Sequence, residues 1–144
     1  MHDLRGTKTL EDLQEAFARE SQDNRRFLYF ATKAEVEGLP EMASLFRSVA
    51  EGETMHAFGH LDFLSELGEW TGLGEMSPVV ACLKAALQLE VVEHTQMYPG
   101  FARTAREEGF DEVAEWFEVL IRSERSHAEH LARAVETLIA GTLG

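Results

Sequence analysis

Glu53-Thr54-Met55-His56 and Glu124-Arg125-Ser126-His127 are the two stretches that decide how this chain folds. A glutamate and a histidine three residues apart share one face of a helix. Both pairs interrupt long apolar stripes. Met42, Leu45 and Val49 precede the first, and His60, Phe63 and Leu67 follow it. Val113, Phe117 and Leu120 precede the second, and Leu131, Ala134 and Leu138 follow. Steps of three and four are the period of an amphipathic helix. Two further stripes have the same period and the same charged middle: Leu13, Phe17, Glu20, Asn24, Phe27, Ala31, Ala34, and Val79, Leu83, Ala86, Glu90, Glu93, Met97. The pattern predicts helices over 10–37, 41–67, 78–98 and 111–139.

The residues between the stripes set the topology. Gly38-Leu39-Pro40 combines a C-terminal glycine stop with a proline near the next helix start. Glu107-Glu108-Gly109-Phe110-Asp111 does the same later, with Asp111 a candidate N-cap. Between Gly68 and Pro78 lies a longer, glycine-containing stretch that reads as a crossover. Pro99-Gly100 is expected to break or kink the third helix, whose pattern resumes from Phe101 to about Glu107. Two short hairpins joined by a long crossover predict an all-α fold, a ferritin-like four-helix bundle, with residues 1–144 as one domain. The halves echo each other: the interval from Glu20 to Glu53 recurs from Glu90 to Glu124, longer by a single position.

Composition removes several classes of function. The 144 residues carry 13 basic and 26 acidic side chains, a net charge of −13. Nucleic-acid backbones and anionic membrane surfaces both require a basic face, so neither is an expected partner. The longest run without Asp, Glu, Lys or Arg is His94 to Ala102, far short of the roughly 20 residues of a membrane-spanning helix. The start, Met1-His2-Asp3, has no cationic and apolar leader pattern. One cysteine, Cys82, excludes an internal disulfide framework and a Cys-x-x-Cys metal knuckle within these residues. A reducing, cytoplasmic setting is the expectation.

The charged middles carry the chemistry. Measured from the turns near Leu39 and Gly109, Glu20, Glu53, His56, Glu90, Glu93, Glu124 and His127 fall at similar heights along their helices. Five glutamates in one core layer cannot all stay ionised without cations, because a buried unpaired carboxylate costs several kcal/mol or neutralises. The alternative is a set of solvated acidic faces. Carboxylate and imidazole without thiolate suit iron or manganese, with zinc a substitute. One Glu from each of two helices plus Glu-x-x-His from each of the others is the ferritin-like di-iron or di-manganese arrangement.

These residues resemble the rubrerythrin family over nearly the whole chain. The likeness rests on Leu4-Arg5-Gly6-Thr7-Lys8-Thr9, Ala16-Phe17-Ala18-Arg19-Glu20-Ser21-Gln22, Glu53-Thr54-Met55-His56-Ala57, Thr95-Gln96-Met97-Tyr98-Pro99, Glu107-Glu108-Gly109-Phe110 and Glu124-Arg125-Ser126-His127. The resemblance implies a non-haem di-iron site that reduces hydrogen peroxide to water in oxidative-stress defence. Glu20, Glu53, Glu90, Glu124 and His127 match the permanent ligands. Glu93 and His56 match a redox-switched pair, with one iron taking the glutamate when oxidised and the histidine when reduced. That makes Glu93, His56 and Tyr98 the expected catalytic residues, Tyr98 matching a tyrosine that hydrogen-bonds ligand carboxylates. Phe27 stands where the family has a partner tyrosine. Without a rubredoxin domain, as in the short erythrin-like branch, electrons are expected from an external rubredoxin-like or other redox protein. A homodimer is the expected assembly, with a helix swap through the long crossover left open.

Two other functions fit the same residues. Ferroxidase or iron-storage activity in the manner of ferritins is one, and a helical interaction module with structural zinc is the other. Outside the seven, His60 is expected to be a core or carboxylate-supporting histidine, His130 a satisfied surface group and His94 exposed. Cys82, Met42 and Met97 are expected in the core, and Trp70 and Trp116 are expected to pack locally.

Overall fold

The computed structural model describes residues 3–67 and 78–143. The described residues are almost wholly helical and contain no strand, so the expected all-α class holds. They form two compact units that divide at Trp70 and Thr71. Each unit is a helical hairpin. The expected crossover, with Trp70, lies outside the described residues.

The first hairpin pairs α1 (Lys8–Val36) with α2 (Pro40–Ser65). Thr7 caps α1, its side-chain oxygen accepting the Leu10 N–H at 3.1 Å. Gly38, with φ +75°, ends it. The Gly38 N–H donates to the Glu35 carbonyl at 3.0 Å and the Leu39 N–H to the Ala34 carbonyl at 2.9 Å. This is the two-bond Schellman closure, which needs the left-handed conformation glycine adopts without strain. Small side chains then let the helices approach: Ala31, Ala34, Ala43, Ala50 and Ala57 are buried, as is Leu64. Asn24 pins the seam one turn from Glu20, its Nδ2 donating to the Ala50 carbonyl at 2.7 Å and to Thr54 Oγ1 at 2.8 Å.

The second hairpin repeats the first. The return helix α5 (Asp111–Leu143) packs against α3 (Pro78–Val92), a π-helical segment (Glu93–Met97) and α4 (Tyr98–Glu107). Gly109, with φ +89°, makes the same closure, its N–H donating to the Arg106 carbonyl at 3.1 Å and that of Phe110 to the Ala105 carbonyl at 2.7 Å. Ala102, Ala105, Ala114 and Ala128 match Ala31, Ala34, Ala43 and Ala57 and are also buried. An Arg47–Glu35 ion pair beside the first turn is matched by Arg106–Glu118 at 2.8 Å beside the second, with the charges exchanged between helices. Asp111 is the first residue of α5 rather than its cap. The Ala114 N–H donates to the Phe110 carbonyl at 3.0 Å, and the Asp111 charge complements the helix N-terminus instead.

The π segment accounts for the unequal spacing of the repeat. A single interval relates Phe27 to Tyr98, Gly38 to Gly109, Glu53 to Glu124 and His56 to His127. Glu20 and Glu90 are one position closer together than that. The second half thus holds one extra residue between Glu90 and Tyr98. The helix absorbs it as a wider turn, the Tyr98 N–H reaching back to the Glu93 carbonyl. Pro99 therefore does not break the helix. It sits in the first turn of α4, where its missing N–H is tolerated.

Burial along the stripes is narrower than expected. A two-helix seam covers one strip of each helix, and alanines fill most of it. Met42, Leu45, Val49, Phe63, Val79, Val113 and Trp116 are exposed, and so is Cys82. These residues face away from the seam of their own hairpin. Periodicity places them on an apolar face without saying what covers it.

Candidate metal centre

Each hairpin gathers two carboxylates and one imidazole. Glu20 comes from α1, with Glu53 and His56 from α2; Glu90 comes from α3, with Glu124 and His127 from α5. Within each trio the donor atoms lie within 4.8 Å of one another. His56 Nδ1 is 3.9 Å from both Glu20 Oε1 and Glu53 Oε1. His127 Nδ1 is 3.6 Å from Glu90 Oε2 and 3.8 Å from Glu124 Oε2. The carboxylates are half-buried, while both imidazoles are more than half exposed.

The second trio shows what this crowding does. Glu90 Oε2 is buried and has no hydrogen-bond partner. Burial pushes the Glu90 carboxyl up to about 7, helped by the hydrogen bond it shares with Glu124. Burial also raises Glu93, again helped by Glu124. Glu124 is held below its ordinary value because it accepts from Glu90. Carboxylates this close remain charged together only with a cation between them; otherwise a proton takes that role, here on Glu90. Burial and the negative charges of Glu93, Glu124 and Glu90 likewise raise the Tyr98 phenol. Hard oxygen and imidazole donors around a buried, unpartnered oxygen fit iron or manganese.

Six of the seven expected ligands thus assemble as two matching trios. The seventh, Glu93, lies beside Glu124, and Tyr98 lies near the same carboxylates. His60 supports a carboxylate, its Nε2 standing 2.8 Å from Glu20 Oε2. His130 is exposed and bonds the Ser126 carbonyl at 2.8 Å. His94 departs from expectation. It is half-buried, its Nδ1 is 2.7 Å from the Glu90 carbonyl, and its charge helps lower Glu124. The extra residue alters the helical phase there, and the longer second interval of the repeat is its signal in the sequence. Asn24 falls on an apolar stripe, yet it is a polar tie between helices.

A family model described as rubrerythrin matches residues 11–135. The chain belongs to the rubrerythrin family. Among its relatives, rubrerythrin from Clostridium perfringens is 34% identical, the match covering 98% of this chain and 76% of that protein. Rubrerythrin-1 from Clostridium acetobutylicum is 38% identical over 88% of this chain and 69% of that one. The solved structure of symerythrin from Cyanophora paradoxa, reduced with dithionite, is 27% identical over 96% of this chain and 90% of that chain, with a TM-score of 0.41. Rubrerythrin membership brings the ferritin-like helical class and a di-iron oxidoreductase family to a chain whose own trios suit that metal pair. No helix among the described residues of this rubrerythrin-family chain is long and apolar enough to cross a membrane.

Proposed function

We propose that this rubrerythrin-family chain is a di-iron peroxidase that reduces hydrogen peroxide to water. The observation that carries the reading is the pair of matching Glu-Glu-His trios, one of which contains a buried, unpartnered oxygen. Glu20, Glu53, Glu90, Glu124 and His127 would hold two iron ions, with manganese or zinc as substitutes, and Glu93 and His56 would alternate on one of them. Bound there, the ions supply one electron each, enough to cleave one O–O bond, and Lewis acidity at the oxygens. The surrounding side chains manage protons and water. Two protons must reach the two oxygens for water to leave. Glu93, half-buried and outside both trios, is the carboxyl that would carry them. Tyr98 keeps its proton, being raised above the ordinary phenol value, and so would be available to donate to nearby carboxylates.

Electrons would come from an external redox protein, since these 144 residues hold one cysteine and cannot build a four-thiolate iron centre. A homodimer suits the exposed apolar side chains Leu45, Val49, Phe58 and Phe63 on α2 and Val113, Trp116 and Val119 on α5, which a second copy can cover. A reducing cytoplasm suits the exposed free Cys82.

The deciding experiment is anaerobic loading with ferrous iron, followed by rapid mixing with peroxide and, separately, with dioxygen. Faster oxidation by peroxide is expected. Faster oxidation by dioxygen overturns the peroxidase reading in favour of ferroxidase chemistry.

A further inference from the structure

The two oxygens of Glu20 have different neighbours. Oε2 is 2.8 Å from His60 Nε2, while Oε1 is 3.9 Å from His56 Nδ1 in the donor trio. A carboxylate only accepts, so the His60 Nε2–H donates. His60 lies one turn beyond His56 on α2 and is not one of the trio. Among the described residues the second hairpin has no imidazole hydrogen-bonded to the Glu90 carboxylate in this way. The interval that relates His56 to His127 takes His60 to Leu131, a side chain that cannot donate to Glu90, whose Oε2 faces His127 Nδ1 at 3.6 Å as Glu20 Oε1 faces His56. The aromatic positions are exchanged in the opposite sense: Tyr98 lies near Glu93, Glu124 and Glu90, whereas its counterpart in the first hairpin is Phe27.

We propose that His60 is a positioning residue for the metal centre, occupying one oxygen of Glu20 so that the carboxylate offers only the other to a cation. This inference rests on the two-metal reading above. A group that orients a ligand typically changes metal affinity about 10- to 100-fold when removed. Fixing Glu20 in advance also removes the cost of ordering it when the ion arrives. Glu90, with Leu131 where the first hairpin has His60, is the adaptable member of the pair. One chain therefore presents two unequal places for metal, one preset and one adjustable.

Cobalt(II) tests this without reference to turnover. The wild-type chain, His60→Leu and His60→Gln are titrated with cobalt by calorimetry, and the visible d–d spectrum is recorded at each equivalent. His60→Leu places in the first hairpin the residue found in the second. It is expected to weaken one of two cobalt equivalents by about 10-fold or more and to change the spectrum of that equivalent only. His60→Gln keeps an N–H donor and is expected to restore the affinity and the spectrum. Two unchanged affinities and an unchanged spectrum in His60→Leu overturn the role of His60 while leaving the two-metal reading intact. Loss in His60→Gln as large as in His60→Leu also overturns it, since a direct ligand or a packing role then accounts for the histidine. A wild-type chain that takes up no cobalt overturns the two-metal reading itself, and the positioning role with it.

Discussion

Phe27 and Tyr98 are structural counterparts that differ in one hydroxyl group. Phe27 meets Phe30 edge-on at 6.1 Å, and Tyr98 meets Phe101 edge-on at 6.2 Å. Phe30 meets Phe46 at 5.6 Å, as Phe101 meets Phe117. The same sequence interval separates each ring of the first set from its equivalent in the second. Packing is thus repeated between the hairpins, while of the two only Tyr98 carries a hydroxyl. Tyr98→Phe is expected to keep the fold and the metal content and to slow peroxide turnover by roughly 10-fold, a typical cost for a group that tunes metal ligands. Iron analysis beside steady-state turnover checks this; full activity would remove Tyr98 from the chemistry.

Glu93 sits next to Glu124 but outside both trios. Glu93→Gln retains the shape and removes the ionisable proton. Close to two metal ions per chain are expected to remain, with slower turnover. His56→Ala tests the other half of the proposed exchange and should also slow the reaction. Undiminished activity in either variant would end the switching idea.

The metal-free protein should lose stability as pH rises from about 5 to about 8. Glu90 is held up to about 7 against an ordinary 4.5, so in this window the folded chain keeps a proton that the unfolded chain releases. The stabilisation is fully present below the unfolded value and lost as pH climbs through the folded one. Glu93 acts in the same direction, whereas the lowered Glu124 acts only at more acid pH. The expected loss is on the order of 2 kcal/mol, read as several degrees in thermal melts of chelator-treated protein. Metal uptake should reverse the trend, because ions displace protons and bind better as pH rises. Melts that do not weaken toward the alkaline end would refute the raised Glu90.

Gly109→Ala places a side chain at φ +89°. The left-handed conformation is expected to cost about 1–2 kcal/mol. Gly38→Ala, at φ +75°, should cost about the same because the closure is the same. Denaturant midpoints of both variants supply the comparison.

The two hairpins are legible in the sequence because every device that builds them is local. Stripes of period 3.6, glycine stops at 38 and 109, and Pro40 at a helix start act within a few residues. The donor trios are legible because a glutamate inside an apolar stripe has few roles other than holding a cation. Three features are not. Residue type favours Asp111 as a cap, but the closure at Gly109 makes it the first helical residue. A fixed period cannot follow an inserted residue, and so it puts His94 outside the stripe. Hydrophobicity marks a face and not its covering, which is why Cys82 and Met42 are exposed where a core position is expected.

The π segment at Glu93–Met97 also has a consequence for motion. Bonds that span five residues hold a backbone less tightly than the regular ladder on either side. Amide exchange should therefore be faster here than in the flanks of α3 and α4. If Glu93 exchanges ligands as proposed, its place at the start of that stretch would let a local shift of one turn accommodate the change while Glu90 stays in the regular helix before it.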